Sequence, residues 1–213
     1  MREIKQVKAD LQSALSLVAD DSFREFGFQR RKGSFEYVFK GDDVTHTIMF
    51  GADYFPKYEK SAEICIHPWL RVKMPAVTEM ALRLVGGNKM LLANATDLVV
   101  AQPVEFGAPK EVHERWFATG EEEIKQCVQR IVPYIESLGL PLLKSLSNPQ
   151  DLIAACAKDD ERLMKQMHWY VYVAAALALS GEYESACNLL EEKYAPGIRR
   201  RYAVVFENLR SMQ

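Results

Sequence analysis

Cysteine is scarce in this chain and never closely spaced: the four residues Cys65, Cys127, Cys156 and Cys187 are scattered, with no CxxC pair. That is the usage of a reducing compartment, where thiols serve as small apolar fillers. Long apolar runs are also lacking. The most hydrophobic stretch, "WYVYVAAALAL" from Trp169 to Leu179, has eleven residues between charged flanks, against about 20 needed to span a bilayer. It reads as a buried helix. The N-terminus, "MREIKQVKADLQSALSLVADD", is charged and amphipathic without the apolar centre of a signal peptide, so a cytoplasmic location is expected. No charge of one sign dominates: 27 Lys and Arg stand against 29 Asp and Glu, which predicts no overall attraction to polyanions and leaves room only for local patches. No tract is compositionally biased. At 213 residues a compact chain buries roughly 70% of its unfolded surface and needs no metal or disulfide staple.

Periodicity supplies the architecture. Ile4, Val7, Leu11, Leu15 and Val18 recur at helical spacing. The helix runs on past a break at Asp20-Asp21 and stops at Gly27, suited to the left-handed C-terminal position. Three runs rich in aromatic and β-branched residues follow, "SFEYVFK", "VTHTIMFGA" and "AEICIHPWLRV", the first two joined by the turn "KGDD". Pro75 opens a helix that Gly86-Gly87 ends. "DLVVAQPV" and "HERWFA" read as short strands. The pattern predicts an α+β fold, an antiparallel sheet with helices on one face, over residues 1–118. Residues 119–213 read as an all-helical region, either separate or packed on the first. There Thr119 and Glu122 fit a capping box, Asn148 and Pro149 a helix start, and Pro133 and Gly139-Leu140-Pro141 breaks in the helical pattern. "YVYVAAALALSGEYESACNLLEEKYAP" resembles a single tetratricopeptide-like helical hairpin, with Gly181 at the turn; one repeat cannot form the groove of an array.

Candidate chemistry is sparse. "KGSFEYVF" shares a Lys-Gly with RNA-recognition strands, but Ser34 and Glu36 stand where rings would stack. Phe35, Tyr37 and Phe39 fall on one strand face and suit a core. A nucleic-acid reading rests on two basic clusters, Arg30, Arg31 and Lys32, and Arg199, Arg200 and Arg201, the latter near the start of the terminal helix, where Glu191 or Glu192 can pair with them. His46 and His67 lie on successive strands as possible neighbours, and Cys65 shares a strand face with His67. No third ligand is identifiable, so no metal is expected, and an enzyme would need an unrecognised site there. Glu36, Asp53, Glu63 and Glu105 are the carboxylates available for acid-base work. No nucleophile elbow, Walker or dinucleotide fingerprint exists, and no cofactor is expected.

"FREFGFQRRKGSFEYVF" and "ERWFATGEEEIKQCVQRIVPYIESLGLPLLKSLSNPQDLI" together resemble a bacterial family of small α+β domains of unknown function, some associated with polymorphic toxin systems as immunity proteins. The resemblance covers roughly residues 4–152 with a gap through 88–110. It implies a protein partner, a toxin domain whose active site is occluded, and no catalytic residues. The "DYFPKYEKS" loop then offers Tyr54, Phe55 and Tyr58 as anchors, with Asp42, Asp43 and Glu121 to Glu123 as acidic groups that would steer a cationic partner.

Overall fold

Aromatic residues alternating along short strands build the sheet and choose its buried face. The structure, a computed structural model, describes residues 2–213. Helix α1 (Ile4–Val18) buries Val7, Leu11, Ala14 and Leu15, one stripe at helical spacing. A break at Ala19 leads into α2 (Asp20–Glu25), beside the Asp20-Asp21 pair that signalled it. Gly27 closes the turn at φ +83°, and a Cβ there would sit 3.2 Å from the Phe39 ring, so both backbone and space select glycine. Strands β1 (Gln29–Arg30), β2 (Glu36–Lys40), β3 (Thr45–Tyr54) and β4 (Ile64–Lys73) follow. In the "KGDD" turn the Gly41 N–H donates to the Val44 carbonyl at 2.9 Å.

Tyr37 of β2 and Phe50 of β3 point into the core, and Phe23 of α2 meets the Tyr37 ring edge-on at 4.9 Å. Such ring pairs contribute about 0.5–1.5 kcal/mol beyond the area they bury. The Tyr37 hydroxyl donates to Asp20 Oδ1 at 2.7 Å while Arg30 holds Asp20 Oδ2 at 2.8 Å. Burial and this bond raise the Tyr37 phenol pKa far above its ordinary value, so it stays a neutral donor. The antiparallel sheet runs β1-β2-β3-β4-β5, where β5 is Val100–Pro103, and β6 (Trp116–Ala118) also pairs with β4.

Helix α4 (Glu121–Tyr134) packs against α1. Its start differs from the expected box. Gly120, at φ +85°, is the N-cap, the Thr119 N–H donates to Glu123 Oε2 at 2.7 Å, and the Thr119 hydroxyl turns to the Ser61 carbonyl at 2.8 Å. The extra glycine shifts the acidic arm from Glu122 to Glu123. Pro133 does not break the helix as expected. Its ring lies on the exposed side, and the helix continues as a wide-turn segment, Ile135–Gly139, before α5 (Leu140–Lys144). Gly139 lets that segment approach the sheet: a Cβ there would sit 3.2 Å from Leu70 of β4.

By its internal contacts the chain divides into two units. The first takes the chain to Lys40, His46–Arg71 and Gln102–Lys144; the second takes Gly41–Thr45, Val72–Ala101 and Ser145–Gln213. The helices of 121–144 therefore group with the sheet, while α3 (Pro75–Leu84) groups with the C-terminal helices, a division other than one at residue 118. In the second unit α7 (Trp169–Leu179) is buried on nearly every side, as its composition predicted, and contacts α3, α6 (Pro149–Ala157) and α8 (Tyr183–Lys193). Asn148 caps α6, its side-chain oxygen accepting from the Asp151 N–H at 3.0 Å. Tyr172, Tyr194 and Tyr202 bury their rings and donate to the carbonyls of Ala95 (2.9 Å), Met167 (2.7 Å) and Leu91 (3.0 Å). The three phenols thus keep their hydroxyls bonded to backbone carbonyls, that of Leu91 in a buried bond. The α7–α8 hairpin turns at Gly181, φ +79°; it is a helical pair, and nothing beyond its sequence pattern joins it to tetratricopeptide repeats.

Gly51 of β3 tests the close packing around β4. A Cβ there would come 2.9 Å from both the His67 ring and the His67 backbone oxygen. Gly51→Ala is expected to lose about 1–3 kcal/mol in urea unfolding, whereas Gly197→Ala, with nothing within 4 Å, stays within about 1 kcal/mol of the parent. Equal stability of the two variants would contradict the packing.

Candidate functional site

One edge of β4 is divided. Its other edge is taken by β3, whose hairpin starts where the Phe55 N–H donates to the Glu63 carbonyl at 2.8 Å. On the divided edge β6 pairs first, with Ile64 opposite Ala118 and Ile66 opposite Trp116. Farther along, the Val99 N–H donates to the Val72 carbonyl at 2.9 Å as β5 begins. Between these points lies Pro68, which has no N–H to offer a ladder, and there residues 104–115 leave the edge. They form two 3₁₀ turns, Val104–Gly107 and Lys110–Val112, whose bonds are local: Ala108 N–H to Glu105 and Val112 N–H to Pro109, both at 3.0 Å.

A cavity of about 370 Å³ opens beside this gap. Cys65 and His67 line it from one face of β4, joined by Tyr58 from the loop after β3. Ile66 and Trp116 line it from the other face, which alternation makes the buried one. Glu105, Glu114 and Arg115 come from the departing segment. Ile66 and Trp116 are each 1% exposed, so the cavity opens on the Cys65 and His67 side of the strand. Trp116 is 1% exposed, and its ring meets Tyr134 of α4 edge-on at 5.5 Å. Trp116 Nε1, Glu105 Oε2 and the Tyr134 hydroxyl are buried with no hydrogen-bond partner. Burial, then the charges of Glu105 and Glu114, raise the Tyr134 phenol pKa. Glu114 is itself paired with Arg130.

Of the expected anchors, Tyr58 projects, 60% exposed. Its hydroxyl donates to Asp53 Oδ2 at 2.8 Å and its ring meets Phe117 at 6.1 Å; the Asp53 bond raises its phenol pKa. Tyr54 is half-buried with the Lys8 ammonium 5.3 Å from its ring centre, and Phe55 holds the turn at φ +50°, so neither projects as Tyr58 does. Asp42 and Asp43 are exposed in the turn before β3 and belong to the second unit, Tyr58 to the first.

The histidines are not neighbours. His46 is buried, stacked on Phe39 at 5.6 Å, on the sheet face that carries Phe50. His67 lies on the opposite face, its Nε2 3.5 Å from Asp53 Oδ1. Two strands in antiparallel register put residue 46 and residue 67 on different faces, a parity that separate strands do not reveal. Among the described residues no three His, Cys, Asp or Glu side chains are grouped to hold a metal. Burial pushes the Cys65 thiol pKa up, the Tyr58 bond only partly opposing it, so no thiolate is prepared beside His67. Glu36 is held by Arg31 and Arg71, and Glu63 by Arg2 and the Gly120 N–H. Of the four carboxylates read from the sequence, Asp53 and Glu105 stand at this site.

The basic clusters are largely engaged. Arg30 binds Asp20 and the Ser16 hydroxyl at 2.6 Å, Arg31 binds Glu36 at 3.0 Å, and Lys32 is exposed. Phe39, the one ring left at a stacking position of that pattern, is itself stacked on His46. Arg199, Arg200 and Arg201 end the short helix α9 (Pro196–Arg201), directly ahead of α10 (Ala203–Ser211), so they lie near the start of the terminal helix as expected, but also at the end of a short helix, which favours cations. Arg199 donates to the backbone carbonyls of Tyr194 (2.8 Å) and Glu191 (2.5 Å), capping α8 in place of the expected carboxylate pairing. The two clusters belong to different units. Glu121 to Glu123 are exposed at the start of α4.

Sequence reading missed Trp116 and Tyr134, which looked like ordinary core aromatics. Pro103, Gly107 and Pro109 around Glu105 were the available signal of a segment leaving its strand. All four cysteines are buried with thiol pKa values raised chiefly by burial. At pH 8 the native chain should therefore react with an aromatic disulfide reagent at least about tenfold slower than the unfolded chain; a thiol reacting at the unfolded rate would contradict the burial of all four. Compared with known proteins, the chain matches no family model, no curated protein and no solved structure, so its resemblance to immunity-associated domains rests on the residues quoted for it.

Proposed function

We propose that the chain is a protein-interaction protein, an immunity protein that binds a toxin domain and occludes its active site. The observation that supports this most is an exposed apolar cluster on the irregular segments around the β4 cavity. Tyr58 is 60% exposed, and Phe106 and Val112 of the departing segment are 40% and 48% exposed. Isolated exposed apolar residues need no explanation; three on the two segments beside one cavity support reading that region as an interaction surface. Tyr58 is held in place by Asp53 and Phe117 before any partner arrives, which reduces the ordering cost of association. Glu105, Glu111 and Asp53 give the surroundings carboxylates suited to a cationic partner.

Occlusion follows from geometry alone. A ring such as Tyr58 entering a partner's cleft excludes substrate without any chemistry by the inhibitor, consistent with a site that prepares no nucleophile. An interface of this kind buries about 1,200–2,000 Å² and depends on a few central side chains.

The test is capture from the native host with the tagged chain, followed by expression of the captured protein alone and together with this chain. Tyr58→Ala and Phe106→Ala should each weaken the complex at least about tenfold, Arg200→Ala should leave it intact, and the captured protein should arrest growth only when expressed alone. A complex indifferent to both substitutions, or a harmless partner, would overturn the reading. Capture of nucleic acid released steeply by salt would move it to the basic clusters.

A further inference from the structure

The β1 end of the sheet carries more positive charge than its own carboxylates offset. A cavity of about 410 Å³ is lined there by residues of α1, α2, β1 and the turn that follows β1, within the roughly 300–1,000 Å³ range of small-molecule sites. Arg24, Arg30, Arg31 and Lys32 line it against one carboxylate, Asp20. A second cavity of about 510 Å³ adjoins it, sharing Gln29, Arg30 and Arg31 and adding Lys40. Three of these five cations have an acidic partner: Arg24 has Asp21, Arg30 has Asp20 and Arg31 has Glu36. Lys32 and Lys40 are exposed and, among the described residues, have none. Five cations less three carboxylates leave an excess of two positive charges, and Glu36 is shared besides with Arg71.

The ion pairs position these groups without using them up. Arg30 is fixed by the Ser16 hydroxyl, by Asp20 and by the Gln12 carbonyl. Asp20 also accepts from the Tyr37 hydroxyl, so the one carboxylate in the lining is already satisfied on both oxygens. Arg24 gives Asp21 one N–H and Arg31 gives Glu36 one, of the five that each guanidinium carries. Both side chains are open to solvent, 69% and 63% exposed, which leaves their other donors accessible. Gly33 completes the lining at φ +70°, with nothing within 4 Å of where a Cβ would stand. A ligand can therefore come close to the backbone of the turn.

Charge and the lack of rings select the ligand. A carboxylate brings one negative charge, and a phosphodiester one per phosphate. A phosphate monoester brings about 1.5–2 at neutral pH, with oxygens that suit the guanidinium fork. Nucleobases need an exposed ring to stack on, and Phe28, the one ring in either lining, is buried.

We infer that the cavity beside β1 is a binding site for a small phosphate monoester, its dianionic group held by Arg24, Arg31 and Lys32. This inference stands apart from the protein-partner reading, which concerns Tyr58, Phe106 and Val112.

The experiment is titration of the full chain with methyl phosphate, followed through its backbone amide resonances. Those of Lys32, Gly33 and α2 should shift saturably with a Kd at or below about 1 mM. Affinity should fall at least about tenfold between about pH 7.5 and about pH 5, because the ligand loses its second charge near pH 6. Dimethyl phosphate, with one charge, should bind at least about tenfold more weakly. Arg24→Gln and Lys32→Gln change exposed side chains and should each weaken binding at least about tenfold, whereas Lys57→Gln, at an exposed lysine outside both cavities, should leave it unchanged. No saturable shift at about 10 mM, an equal response to dimethyl phosphate, or undiminished affinity in Lys32→Gln would overturn the assignment. So would tighter binding, per phosphate, of a single-stranded oligonucleotide than of methyl phosphate, which would make this a strand-binding surface.

Discussion

Everything distinctive in this chain follows from how the hydrogen bonds along β4 are shared out. A strand offers donors and acceptors on two edges, and each must be satisfied or exposed. β3 satisfies one edge of β4 through a hairpin closed where the Phe55 N–H donates to the Glu63 carbonyl. The other edge is served by β6 and β5 in turn, with Pro68 between them unable to donate. Because the ladder is already interrupted at that point, residues 104–115 can leave it without orphaning a β4 amide at Pro68. The cavity lies beside this interruption.

Beside that gap, burial raises the pKa of the Cys65 thiol and the Tyr134 phenol, the Asp53 bond raises that of Tyr58, and His67 Nε2 lies 3.5 Å from Asp53. The core holds these elements in place. Phe23, Tyr37 and Phe50 fix α2 on the sheet, the Tyr37–Asp20–Arg30 chain ties β1 to the same helix, and Gly139 brings the wide-turn segment down onto Leu70.

Local signals were legible where the physics is local. "KGDD" forms its turn, Gly27 and Gly181 take the positive φ that ends a helix or turns a hairpin, and Asn148 caps α6. "WYVYVAAALAL" is buried because its own composition requires it. Expectations failed where a distant partner decides. Thr119 found Ser61 instead of its own helix, Pro133 was carried through by the wide turn beyond it, and Arg199 capped α8 instead of pairing with a carboxylate. At the site, Tyr58, Cys65, His67, Asp53 and Glu105 were all readable as polar or aromatic residues near strands. That β5 and β6 would share one edge of β4 was not, since strand pairing across thirty or more residues leaves no mark on either short run. Without it, Trp116 and Tyr134 could not be told from core filler, and His46 looked like a neighbour of His67.

The division of that edge is open to one direct measurement: residue-resolved amide hydrogen exchange across β4, β6 and residues 104–115. Strand amides of β4 bonded to β3 should be protected to near the global unfolding free energy, while residues 105–115, bonded only within their own 3₁₀ turns, should exchange by local opening at least about a hundredfold faster. Strand-like protection running without interruption from β5 through 104–115 into β6 would mean one continuous edge strand and would contradict the division at Pro68.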